Sequence, residues 1–221
     1  MMRNHRLLLL TAPLLLAGCS EIQKLTTPPL SLSLELKGVA GAEVRLVLSG
    51  SGSSETYTDN GAGLQTAATV WPGRYTASLS ELAQGPIRYA GVLEYSNASG
   101  NYTRQGSMSF DVRDHDAGKL KLKGSYQPVT GSLQVTASGL PFGARAAVFY
   151  RASGQEEAPF DPERPAALEP GSYLLRFGEV AAEGQTYRPQ ATQAVVAVEA
   201  GKLTPVSVSY EAMPAAAGEG R

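Results

Sequence analysis

The sequence predicts an all-β protein with two tandem small antiparallel β-sandwich domains, Ig-like or transthyretin-like, behind an N-terminal signal segment. Three observations predict this fold class. Apolar and polar residues alternate with the two-residue period of half-buried strands. Turn-forming Gly, Pro, Asn and Asp recur about every dozen residues. The same order of strands and turns also occurs twice, and since no stretch after residue 29 has a helical apolar period, helix should be nearly absent.

The first 18 residues have the layout of a cleaved secretory signal. Arg3, His5 and Arg6 precede an apolar run of 12 residues, from position 7 to position 18. A membrane-spanning helix needs about 20 apolar residues, so this run is too short to be a span. The run ends in Leu16-Ala17-Gly18-Cys19, which resembles the lipobox of bacterial lipoproteins.

The resemblance implies that Cys19 is acylated with lipid, palmitate included, and becomes the first residue of the mature protein. The protein would then be lipid-anchored in the cell envelope and face the periplasm or the exterior. Ser20 follows the cysteine, which favours the outer over the inner membrane. Each buried methylene contributes about 0.8 kcal/mol, so two or three chains hold a protein firmly. The alternative for Cys19 is an ordinary thiol, and because it is the only cysteine, disulfides within the chain are excluded.

Charge narrows the range of partners. Removal of residues 1–18 takes away two of the 19 basic residues and none of the 20 acidic ones, which leaves a net charge of −3. Nucleic-acid binding requires a concentrated basic surface, so no nucleic acid is expected as a partner. The expected partners are membrane lipid, through acylated Cys19, and an envelope protein or glycan that the sequence does not identify.

After a polar, proline-ended tether at residues 19–29, the first domain is predicted over residues 30–127. Strong alternation predicts its first two strands, at residues 30–37 and 44–48, and a Gly- and Ser-rich loop is expected over residues 49–63. That loop lacks the lysine of a phosphate-binding loop. The remaining strands are predicted at 64–70, 75–79, 89–95, 102–112 and 120–126.

The last predicted strand of this domain carries Lys119, Lys121 and Lys123 on one face, which is typical of an exposed sheet edge. Before it, Asp114-His115-Asp116 is the densest group of carboxylates and imidazole. Such a group could hold a metal ion. Asp and Gly are, however, the residues expected in a tight turn, so we predict a turn and no metal site.

The second domain, predicted over residues 128–212, repeats the order of the first. Pro170-Gly171-Ser172-Tyr173 corresponds to Pro72-Gly73-Arg74-Tyr75, and Tyr210 corresponds to Tyr126. Together with Gly139-Leu-Pro-x-Gly-Ala144, these turns resemble the carboxypeptidase-regulatory-like, Cna-B-type and PEGA-type sandwiches of bacterial surface proteins. The resemblance implies a structural or recognition module in which the turn tyrosine packs inward. The tail at residues 213–221 is expected to be disordered.

No catalytic residues are predicted, and no cofactor. A hydrolytic triad would have to use His115, the only histidine after position 18, and no Gly-x-Ser-x-Gly elbow is present. The leading interpretation is a noncatalytic envelope protein, not an enzyme, that acts as spacer and recognition module. The alternatives are a carbohydrate or peptidoglycan binder that uses Trp71 and tyrosines, and a lipid-anchored hydrolase.

The two domains differ in length at one place. Between matching glycines, Gly73 to Gly118 spans 45 positions and Gly171 to Gly201 spans 30, so the first domain has 15 extra residues. These are predicted to form a hairpin around residues 92–105. Tyr89, Tyr95 and Tyr102 belong to it and are the candidate partner-binding residues. The alternative is that the hairpin only covers a sheet edge.

Overall fold

The computed structural model describes residues 27–214, which form nineteen strands and a single 3-10 turn. The all-β prediction is confirmed. Residues 1–26 and 215–221 are outside the described residues, and with them the predicted signal segment, Cys19 and nearly all of the tail. Within residues 27–214, no helix has the length and apolar character needed to cross a membrane.

The first unit, residues 30–128, contains two facing sheets. One has the strand order β4-β1-β10-β7-β6, with β8 also paired to β7, and the other has the order β3-β2-β5-β9. The strands are β1 (Leu30–Lys37), β2 (Val44–Gly50), β3 (Ser53–Asp59), β4 (Leu64–Val70), β5 (Gly73–Leu79), β6 (Leu82–Gln84), β7 (Ile87–Asn97), β8 (Gly100–Gln105), β9 (Ser107–Val112) and β10 (Lys121–Pro128).

The second unit, residues 131–212, has the same arrangement without an equivalent of β8. Its sheets have the orders β14-β11-β19-β17-β16 and β13-β12-β15-β18. The strands are β11 (Gly131–Ser138), β12 (Ala147–Ala152), β13 (Ala158–Phe160), β14 (Ala166–Leu168), β15 (Gly171–Gly178), β16 (Val180–Ala182), β17 (Gln185–Pro189), β18 (Gln193–Val198) and β19 (Leu203–Ala212).

Each unit buries its own set of alternating side chains. One cluster of buried residues extends from Leu32 to Leu122, and another extends from Leu133 to Tyr210. The predicted junction at Gln127 and Pro128 coincides with the last two residues of β10. The division into two independently folding domains stays a prediction.

The expectation of purely antiparallel sheets needs one correction. In both units the first and last strands are parallel neighbours: β1 pairs with β10, and β11 pairs with β19. A parallel pair brings the beginnings of the two strands to the same end of the sheet. The chain therefore enters each unit at one end and leaves it at the other.

Three local predictions were wrong. Residues 53–59 form β3 instead of loop, because this polar strand is stabilised by backbone pairing along β2 and needs no buried face. Residues 102–112 are not one strand, because Gly106, with φ of 69°, turns the chain from one sheet into the other. The lysines do not mark an edge either, since β10 lies between β1 and β7 and Lys121 projects from the outer face of a central strand.

The repeated Pro-Gly-x-Tyr turns hold their tyrosine in the same way in both units. The Trp71 N–H donates to the Tyr75 hydroxyl at 2.9 Å, and the Tyr173 hydroxyl donates to the Glu169 carbonyl at 2.9 Å. Both tyrosine rings are buried. Each hydroxyl is thus bonded to the backbone four residues earlier, and the ring fixes the start of β5 or β15 over its core.

Candidate functional site

The extra residues of the first unit form a hairpin of β7 and β8, where the sequence predicted one. Val92 pairs with Gln105 at its base, and Asn97 pairs with Gly100 at its tip. The Asn97 side-chain oxygen accepts hydrogen bonds from the N–H groups of Ser99 and Gly100, which fixes the turn. The unit is thereby extended beyond β7 on one side.

Tyr95, a candidate partner-binding residue, is a core residue in the structure. It is 1% exposed, and its ring stacks on Phe110 with a centroid distance of 4.0 Å. Its hydroxyl donates to the Asp111 carbonyl on β9 at 3.1 Å. Burial raises the pKa of Tyr95 to about 12; the Asn97 hydrogen bond opposes this rise and the Asp116 carboxylate adds to it. Tyr95 therefore joins the hairpin to the opposite sheet.

The other predicted aromatic residues do not form one surface. Tyr102 is 49% exposed and stacks on Tyr95 at 6.3 Å between ring centroids. Tyr89 lies six residues from Tyr95 along β7, which is about 20 Å, and pairs with Leu82. Trp71 follows β4, at the sheet edge opposite β8. The structure therefore brings Tyr95 and Tyr102 together and leaves Tyr89 and Trp71 elsewhere.

A groove of about 620 Å³ lies between β8 and β9, and Tyr102 contributes to its lining. Met108 and Phe110 of β9, both largely buried, and two arginines, Arg104 and Arg113, also line it. Sequence reasoning missed these four residues. The alternation of β8 carries the signal for one of them, because Arg104 is two residues from Tyr102 and so shares its face.

The Asp114-His115-Asp116 group forms the 3-10 turn, as a turn was predicted there. Asp116 is fully buried, and its carboxylate accepts the N–H groups of Arg113 and Ala98 at 2.9 and 3.1 Å. It thereby ties the hairpin tip to the end of β9. The His115 Nε2 lies 3.9 Å from the Asp116 Oδ1. Residues 27–214 contain no group of three or more His, Cys, Asp or Glu placed to hold a metal ion.

Comparison with known proteins gives resemblances of fold only. No family model and no curated protein matches the sequence. Among solved structures, the minor pilin GBS52 of Streptococcus agalactiae is 11% identical, with 86% of this chain and 100% of that chain covered and a TM-score of 0.30. A C-terminal fragment of the pilus adhesin SpaC of Lactobacillus rhamnosus GG is 10% identical, with coverages of 84% and 100% and a TM-score of 0.27.

The Bacillus anthracis TIE protein is also similar, at 10% identity and a TM-score of 0.33. The alignment covers 83% of this chain, which spans about half, 51%, of that protein. At such identities and TM-scores, what these proteins do is not transferred to this one. The site has to be interpreted from its own residues.

Proposed function

We propose that this is a noncatalytic, lipid-anchored protein of the cell envelope that acts as a spacer and carries a recognition groove on its first unit. The lipid anchor rests on the Leu16-Ala17-Gly18-Cys19 sequence. The spacer role rests on the topology of the two sandwiches. The recognition role rests on the groove between β8 and β9.

The parallel pairing of first and last strands is the observation that carries the spacer role. Since the chain enters and leaves each unit at opposite ends, an eight-residue first strand advances it by about 26 Å. A unit whose two ends lay together would not carry the chain away from its anchor. This protein repeats the advancing arrangement in both units.

The groove has the chemistry of a recognition surface. It combines the half-exposed ring of Tyr102 with two arginines, and these residue types are enriched where proteins bind partners. An aromatic face beside hydrogen-bonding groups also suits a sugar ring, so a glycan is the second candidate class of partner. Arginines favour a partner that carries carboxylates, which guanidinium groups bind in a bidentate manner.

The anchor is tested by Cys19→Ser in the full-length protein, produced in a bacterium that processes lipoproteins. We expect wild type to partition into the detergent phase in a form shortened by 18 residues, and Cys19→Ser to remain uncleaved or soluble. The lipid would be attached to the sulfur of Cys19, which serine lacks. Equal partitioning of both proteins would refute the anchor.

The groove is tested by crosslinking in cells with the double variant Tyr102→Ala, Arg104→Glu. We expect it to lose the captured partner, while the control Asn101→Ala, an exposed residue of β8 that does not line the groove, retains it. Binding to isolated peptidoglycan, compared between the same variants, distinguishes a glycan from a protein. If the double variant captures the same partner as wild type, the groove is not the recognition site.

Removal of residues 92–105 is not a suitable test of the groove. The segment includes Leu93 and Tyr95, which are 0% and 1% exposed in the core. It also contributes five of the eight residue pairs between β7 and β10. Its deletion would remove core strand, so point substitutions on β8 replace it.

A further inference from the structure

The free edge of β18 in the second unit offers unpaired backbone groups. Among the strands formed by residues 27–214, β18 is hydrogen-bonded only to β15. The Phe177 N–H donates to the Thr192 carbonyl, and in an antiparallel ladder bonded pairs alternate, so Ala194, Val196 and Val198 bond to β15. The N–H and C=O groups of Gln193, Val195 and Ala197 therefore point away from the sheet.

The side chains of this strand include none of the charges or prolines that commonly prevent another strand from pairing with an edge. Edges are commonly protected by charge, proline or a bulge. Residues 190–198 contain none of Asp, Glu, Lys, Arg or Pro. Val195 is 73% exposed, and next to it on the outer face is Leu174. The Thr204 hydroxyl donates to the Ala197 carbonyl at 3.2 Å, which leaves that oxygen a second lone pair.

The neighbouring free edge, which is the part of β19 that does not pair with β17, is protected by proline. The Ser132 N–H donates to the Lys202 carbonyl, so in this parallel ladder Thr204 and Val206 bond to β11. Pro205 then faces the other side, where it has no N–H to offer. Of the two edges on this side of the second unit, β18 is the one able to accept a strand.

We propose that β18 is a self-association edge, at which two copies of the protein pair antiparallel and join their four-stranded sheets into one. The occupant is a second copy because the edge is complementary to itself. A two-fold axis at Val195 sets Val195 against Val195 and Gln193 against Ala197. All of these residues direct their backbone groups to the edge, so the pairing forms about six hydrogen bonds. The outer apolar positions at Val195 and Leu174 become continuous across the join.

The contact is small, which determines where it forms. A six-residue strand edge buries less than the roughly 1,200 Å² of a standard stable interface. Dimers should therefore be favoured where copies are concentrated, as on a membrane, and in solution they should appear only at high protein concentration. The self-association does not use the groove between β8 and β9, and it stands or fails separately from the proposed recognition role.

The test is disulfide trapping with Val195→Cys in the full-length protein, oxidised in native membranes. We expect a covalent dimer, in which mass spectrometry identifies a disulfide between the two residues at position 195. The matched control is Ser109→Cys at the corresponding outward position of β9, which should form no such dimer. In an otherwise wild-type chain, Val195→Lys should abolish noncovalent dimers in crosslinking with an amine reagent, because two facing charges oppose pairing.

Val195→Lys should fold normally, since the side chain is exposed, and circular dichroism checks this. The proposal is overturned if Val195→Cys and Ser109→Cys dimerise equally. It is also overturned if the thiol at position 195 forms disulfides only with a different protein. Wild-type dimers that persist in Val195→Lys would place the interface elsewhere.

Discussion

β9 and β18 occupy the same position in their units, but the inward residues of β9 are more deeply buried than those of β18. Each pairs with the strand that follows a Pro-Gly turn, with Val112 opposite Gly73 and Val198 opposite Gly171. The inward residues of β9, Met108 and Phe110, are 4% and 8% exposed. The corresponding residues of β18, Ala194 and Val196, are only half-buried.

The difference comes from the hairpin. β7 and β8 pack against β9, and the Tyr95 ring of β7 stacks on Phe110. Residues 131–212 contain no strand equivalent to β8. The outward residues follow the same division: Ser107, Ser109 and Asp111 on β9 against Gln193, Val195 and Ala197 on β18. A duplicated sandwich can thus use one copy of an edge to support a groove and leave the other open to pairing.

Removing the ring that joins the hairpin to β9 should destabilise the protein most. Tyr95→Ala should destabilise the first unit by about 3 to 5 kcal/mol, the usual cost of deleting a buried aromatic side chain. Val196→Ala, in the open edge, should cost about 0.5 to 2 kcal/mol, because less is buried. Denaturant unfolding followed by circular dichroism measures both. Equal losses would mean that the hairpin does not cover β9.

High pH should weaken the contact that Tyr95 makes with β9. Since folding raises the pKa of Tyr95 from 10.0 to about 12, the stability gained from its neutral form is complete below pH 10 and is lost as pH rises through about 12. Other buried tyrosines have a raised pKa as well, so the comparison is with Tyr95→Phe. That variant should lose less stability over the same range. Parallel curves for the two proteins would assign the loss to other groups.

The tyrosine turns should be alike in the two units. Tyr75→Phe and Tyr173→Phe each remove one hydrogen bond between the hydroxyl and the backbone and keep the ring. Each should therefore lower the free energy of unfolding by about 1 kcal/mol. Thermal unfolding of each variant checks this. A large loss in one unit alone would show that the turns are not equivalent.

The smallest expected effect comes from exchanging outward edge residues. Ser109→Val and Val195→Ser should each change stability by less than about 0.5 kcal/mol, because both side chains are exposed and the one hydrogen bond lost, between the Ser109 and Thr76 hydroxyls at 3.0 Å, competes with water. Unfolding at low protein concentration, where self-pairing is absent, is the measurement. A larger change would mean that these side chains have packing partners within their own unit.

The sequence alone predicted the fold class, most strands, the duplication and the position of the extra hairpin. These follow from local patterns: a two-residue apolar period and the turn chemistry of Gly, Pro and Asn. The same patterns failed at β3, whose Ser, Glu and Thr side chains carry no apolar alternation. Such a strand forms because its neighbour β2 supplies hydrogen bonds, which are not encoded in its own residues.

Tertiary packing determines which aromatic residues are available for contact. Tyr95 and Tyr102 look alike in sequence, yet Phe110, Asp111 and the opposite sheet bury one and leave the other half-exposed. It also decided which edges are open, since the parallel pairing of first and last strands and the turn at Gly106 bring distant segments together. Burial and edge exposure depend on what packs against a strand, and that partner lies far away in the sequence.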